Sequence, residues 1–268
     1  MLQKNTNVRN QKALRQDRVG NLVWARRTGG RLSAGDRLRL TMDGIQAQLA
    51  RIPRPWRHRL GLPKASAPLD LDPLVVPDTA MAQVAEKALV ETSPEPLVEH
   101  GYRTYAWGRI LAAQARHDLD DELFYAACLL HDLGLVLADE ERPKGSCCFA
   151  YDGAEAARSL LLGEGVPAET AESVADAICL HLNVRVGLEH GAEARYLNAG
   201  AALDVIGLGR RRIPNDLLER VLEKHPRKGW GPEIGPRLER EVHGRPGSRI
   251  HFLYRRFDFG RRAAKVRF

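Results

Sequence analysis

Leu129-Leu130-His131-Asp132-Leu133-Gly134 constrains this chain more than any other stretch. Two ionisable residues close an apolar helix whose buried side is Phe124, Ala126, Ala127, Leu129, Leu130 and Leu133. Asp120, Asp121 and Glu122 open that helix, where carboxylates meet the positive end of the backbone dipole, and Gly134 offers a C-cap. Burying one ionisable group costs several kcal/mol unless it is paired, and here two stand side by side. A lone His–Asp hydrogen bond answers that cost structurally. A divalent cation answers it chemically, because it neutralises a carboxylate and takes a neutral imidazole. The choice turns on whether the rest of the chain supplies further ligands.

The 268 residues, 44% of them apolar, suffice for one large domain or one domain with appendages. No apolar run approaches the roughly 20 residues of a membrane span. The start, Met1-Leu2-Gln3-Lys4-Asn5, is basic but lacks the apolar stretch of a secretory signal. Cys128, Cys147, Cys148 and Cys179 show no C-x-x-C spacing, so neither a zinc ribbon nor a disulfide framework is indicated, and a cytoplasmic location is expected. The net charge of +7 is uneven: residues 94–208 hold 8 Lys+Arg against 19 Asp+Glu, leaving 33 of 41 bases and 15 of 34 acids on the flanks. A basic total raises nucleic acid as a partner. Because the chemistry-bearing segment is acidic, solvated basic faces are the favoured reading and nucleic acid is not. A small-molecule substrate is expected, no membrane partner is, and a homo-oligomer stays open.

Apolar periodicity of the helical kind recurs along the chain and strand-like alternation does not, so the expected class is all-α. Residues 1–35 read as loop, followed by an amphipathic helix over 36–50. Pro53, Pro55, Pro63, Pro68, Pro73 and Pro77 mark 51–77 as an extended arm. Residues 1–77 thus form an accessory N-terminal arm, 78–210 the main domain, and 211–268 a C-terminal helical extension packed on it. Within the main domain helices are predicted over 78–91 (with Asp78 as cap), 94–117 (after the cap Ser93), 120–134, 152–163, 167–183 and 190–207. Shorter ones follow over 215–224, 236–243 and 248–256, separated by prolines.

Three helices place a ligand type where an apolar residue is expected: His100, His181 in Ile178-Cys179-Leu180-His181-Leu182-Asn183, and Asp204 in Gly200-Ala201-Ala202-Leu203-Asp204-Val205-Ile206. Asp204 is the most telling, since it has no basic neighbour in sequence and small residues around it point to tight packing. His181 alone reads equally as a hydrogen-bonded core histidine. Arg103 lies one turn from His100 on the same face, with Trp107 below. His117 and His190 read as surface.

A His, an adjacent His-Asp about 30 residues on, and a distant Asp on another helix resemble the HD-domain superfamily of metal-dependent hydrolases. Here the pattern is His100, His131-Asp132 and Asp204. The stretches His100-Gly101-Tyr102-Arg103-Thr104-Tyr105, Asp152-Gly153-Ala154-Glu155-Ala156-Ala157 and His181-Leu182-Asn183 are closest to the branch that contains the cyanamide hydratases. The resemblance implies an HD-domain helical bundle over roughly 90–208. It also implies a site for one divalent metal ion, with Zn, Fe, Mn and Ni not distinguished. His100, His131, Asp132 and Asp204 would be its ligands.

A water bound to such an ion is acidified from about 15.7 towards 7 and becomes a nucleophile at neutral pH. Arg103 is the candidate for an anion contact, His181 for general acid/base work and Asn183 for a hydrogen bond to substrate. A second metal would need His181 and His190 turned inward, and the turn-like surroundings of His190 favour one. The leading expectation is hydrolysis of a small phosphoester or nucleotide-like substrate. Hydration of a small nitrile stands nearly level with it, favoured by the branch resemblance and by the weak sign of a phosphate cradle. A non-catalytic metal-containing binding protein ranks below both.

Overall fold

The expected all-α architecture is present: among residues 17–49, 72–137, 141–266 and 268, which the computed structural model describes, lie twelve α-helices and no strand. α1 (Leu22–Thr28) and α2 (Ala34–Leu49) come first. The body is α3 (Ala80–Thr92), α4 (Glu95–Ala115), α5 (Asp121–Leu130), α6 (Phe149–Gly163), α7 (Ala168–Leu180) and α8 (Ala192–Ile206). α9 (Asn215–Lys224), α10 (Trp230–Gly244), α11 (Arg249–Phe257) and α12 (Phe259–Lys265) follow. No helix among these residues is long and apolar enough to cross a membrane. Most of the proline-rich arm expected over 51–77 lies outside the described residues.

α5 is the central helix: Phe124 to Leu130 are all buried, as a helix apolar on every side requires. It packs against α3, α4 and α7, while α4 lies along α8 and α6 along α7. The α4–α8 contact is close because Gly200 faces the Thr104 carbonyl, where a Cβ would collide. That approach brings Asp204 of α8 up to His100 of α4. Asp120 caps α5, its Oδ1 accepting from the Leu123 N–H at 3.1 Å. The helix ends at Leu130, before the His131-Asp132 pair, and a 3₁₀ turn runs over Leu133–Leu135. Gly134 is therefore not a left-handed C-cap. It is required for another reason: a Cβ there would strike the Phe149 carbonyl at the start of α6.

Three further expectations change. Thr79, not Asp78, caps α3, and Ser93 does not cap α4, which begins after Pro94 with no side-chain cap. Residues 22–28, read as loop, are helix α1 and part of the core: Leu22, Trp24 and Ala25 are buried. Seven residues with two arginines are too few to show a period. The helix exists because Asn21 caps it and because α7 receives it, Asp176 Oδ1 accepting from the Leu22 N–H at 2.8 Å.

The C-terminal helices are tied back by buried charge. Arg249 is fully buried and donates through Nη1 to the carbonyls of Cys179 (2.6 Å) and Gly20 (3.2 Å) and to Asn183 Oδ1 (3.1 Å). Arg245 pairs with Asp152 at 2.6 Å and Arg142 with Glu241 at 3.3 Å, which fixes the end of α10 to α6 and its preceding loop.

Burial raises the Asp176 carboxyl to about 6, the Leu22 N–H offsetting only part of the cost. The folded protein therefore holds this proton more tightly than the unfolded chain, so stability falls as pH rises from about 4 to 6. Asp176→Asn keeps an acceptor for Leu22 and removes the charge. We expect its melting temperature to exceed wild type by several degrees at pH 7.5, for up to about 3 kcal/mol, and the gain to vanish near pH 4. A gain independent of pH in thermal unfolding would contradict this assignment.

Candidate metal centre

His100, in the second turn of α4, and His131, just past the end of α5, meet with their Nε2 atoms 3.1 Å apart. Asp132 Oδ2 lies 3.6 Å from the first and 3.4 Å from the second. The remaining ring nitrogens fix the protonation. His131 Nδ1 is 2.7 Å from the Cys128 carbonyl, which can only accept, so the proton sits on Nδ1. His100 Nδ1 is 2.7 Å from Asp204 Oδ2 and donates to that carboxylate. His181, at the end of α7, repeats the arrangement with Nδ1 2.6 Å from the Ile178 carbonyl. Its Nε2 lies 3.7 Å from Asp132 Oδ1.

Three bare imidazole nitrogens thus surround one carboxylate. Lone pairs facing each other at 3.1 Å with no proton between them repel, and a cation resolves the conflict. Two nitrogens about 2.0–2.1 Å from a shared ion stand about 2.9–3.4 Å apart at angles of 90–110°, so the spacing fits. Burial lowers the His100 pKa despite the neighbouring Asp204, and brings His181 to about 3. Both are therefore neutral at pH 7, the form a metal takes. Among the described residues, His100, His131 and Asp132 are the group whose ligand atoms converge closely enough to hold one ion.

Asp204 sits behind this group and not in it. Its Oδ1 accepts from Arg103 Nε at 2.9 Å and Trp107 Nε1 at 3.1 Å, and Oδ2 accepts from His100 Nδ1 and from Arg103 Nη2 at 3.1 Å. Arg227 adds an ion pair to Oδ1 at 2.9 Å. Burial pushes this carboxyl up, but Arg103, His100 and Arg227 together hold it far below the usual carboxylate range. As placed, Asp204 orients His100, whereas the sequence pattern put it among the ligands. Arg103, expected to face an anion, is fully buried and chelates Asp204, with its last nitrogen donating to the Pro226 carbonyl at 2.7 Å.

The His–Asp group opens into a cavity of about 120 Å³. His181 lines it, so the structure brings this residue to the site as the sequence anticipated. Asn183 also lines it, but its amide donates to the Val19 carbonyl at 2.8 Å and accepts from Arg249, leaving little for a substrate. Lys144, in the loop between α5 and α6 and a further candidate for an anion contact, is exposed, and His190 lies in a separate polar surface cleft.

Sequence reasoning missed Trp230 and Arg227. Trp230 stacks obliquely on His100 with ring centres 4.4 Å apart, and the guanidinium carbons of Arg103 and Arg227 lie 5.6 and 5.5 Å from its ring centre. It opens α10, a helix expected only over 236–243. Pro232 falls in the first turn, where a missing N–H costs little, and Pro236 lies inside the helix without ending it. A tryptophan just ahead of two prolines was the available signal.

Residues 97–225 match the HD domain family model. Two curated relatives from Saccharomyces cerevisiae, Cyanamide hydratase DDI2 and Cyanamide hydratase DDI3, are each 23% identical over 188 residues, which is 69% of this chain and 82% of theirs.

If Asp204 orients a ligand without being one, Asp204→Asn should weaken metal binding about 10–100-fold, while Asp132→Ala should abolish it. Competition with a chromophoric chelator measures both. Abolition by each substitution alike, in folded protein, would make Asp204 a ligand.

Proposed function

We propose, from the match of residues 97–225 to the HD domain family model, that this chain is a metal-dependent enzyme that adds water to a small nitrile. The observation that carries the choice is where the cations stand. Arg103 and Arg227 are committed to Asp204, and Lys144 is exposed. Among the described residues lining the cavity, the one lysine or arginine is Arg262, and it is exposed. A phosphoester carries charge that a buried site must match. A nitrile carries none and suits apolar walls. The similarity to two cyanamide hydratases over 82% of their length supports the same reading.

His100 Nε2, His131 Nε2 and Asp132 would hold the ion. When bound, a divalent metal supplies Lewis acidity and an acidified water. Trp230 covers His100 and excludes solvent from that side. His181 Nε2, its only free nitrogen, is an acceptor beside Asp132 and orients the attacking water. The water oxygen adds to the nitrile carbon. One water proton passes through His181 Nε2 to the nitrile nitrogen, and tautomerisation gives the amide; from cyanamide the product is urea.

The test sets cyanamide and short nitriles beside a generic phosphomonoester, with metal-loaded protein. Hydration is expected, with no phosphate release, and His181→Ala should lower kcat about 10²–10⁴-fold while metal content is retained. Phosphate release without hydration would overturn the proposal in favour of phosphoester hydrolysis. Turnover of neither substrate, with metal bound, would favour a binding protein.

A further inference from the structure

The cavity beyond the His–Asp group is larger and more apolar than the reacting atoms of a nitrile need. Ile234 and Leu238, one and two turns after Trp230 on α10, form one wall. Ala201 and Val205 of α8 form another, and Leu253 and Phe257 of α11 close the space. Two asparagines also line it, and the amide nitrogen of each is committed. Asn183 is held by Val19 and Arg249, and Asn198 Nδ2 donates to the carbonyls of His181 and Asn183, each at 2.8 Å. Gln48 and Arg262 are exposed and therefore belong to the mouth. The lining is thus polar at the His–Asp end, apolar through the middle and polar again at the rim.

We infer that this cavity seats an apolar substituent of the substrate, an aliphatic or aromatic group of about four to six carbons. The inference rests on the reading of His100, His131 and Asp132 as the reaction centre. The cavity's volume of about 120 Å³, which includes the His–Asp end, is slightly below that of an engineered apolar cavity, about 150 Å³, that binds benzene, so about six carbons is the upper bound for the tail. Cyanamide, with an amino group in place of a carbon tail, would leave these walls uncovered. The preferred substrates are then alkyl or aryl nitriles, with the nitrile at the His–Asp group and the tail along α8, α10 and α11.

Ligand-observed NMR on the metal-loaded full chain tests this with straight-chain nitriles from acetonitrile to heptanenitrile and with the matching n-alkanols. Affinity is expected to rise about fourfold per methylene and to level off near five or six carbons. Ala201→Phe should flatten the series, and Leu253→Ala should move the plateau to longer chains. A wild-type series that is flat, or cyanamide bound as tightly as pentanenitrile, would overturn the inference even if neither variant folds. A rising series in both nitriles and alkanols, with no nitrile hydrated, would uphold the tail site and remove only the nitrile chemistry.

Discussion

A carboxylate with no access to water organises this protein. Asp204 is fully buried, and two arginines, a tryptophan and a histidine converge on it. Taking such a charge out of water costs several kcal/mol, and only dense hydrogen bonding offsets it. Gly200 makes the convergence possible by letting α8 approach α4. The consequence lies one atom further on. Because Asp204 fixes the proton on His100 Nδ1, the opposite nitrogen is bare and aimed at His131 and Asp132. Structure and chemistry are joined through that ring.

The same network explains why, among the described residues, the site has no buried free cation. Arg103 and Arg227 neutralise Asp204 and flank the Trp230 ring. Their charge is used in holding the site together, which leaves the cavity apolar. Holding α10 in place is equally a matter of buried charge, through Arg245 with Asp152 and Arg142 with Glu241. Ile234 and Leu238 of α10 and Leu253 and Phe257 of α11 therefore build part of the pocket.

Much of the site was legible because its residues break an apolar pattern. His100, the His131-Asp132 pair, His181 and Asp204 all interrupt buried helical faces, and a polar residue there demands a partner. What the pattern could not convey was which partner. Arg103 and His100 share a face, as spacing indicated, but spacing does not say that both would turn to one carboxylate on a helix about 100 residues away. Asn183 lines the cavity yet is consumed by Val19 and Arg249, contacts set by tertiary packing alone. The fold was read well where helices are long. It was missed at α1, too short for periodicity, and at the start of α10, where Pro232 and Pro236 concealed a helix that tolerates both.

The most direct test is a crystal structure of the metal-loaded protein, with the ion located by anomalous scattering. The expected result is one ion bonded to His100 Nε2, His131 Nε2 and Asp132, with Asp204 still chelated by Arg103. An ion bound elsewhere, or none between His100 and His131 under saturating metal, would contradict the account.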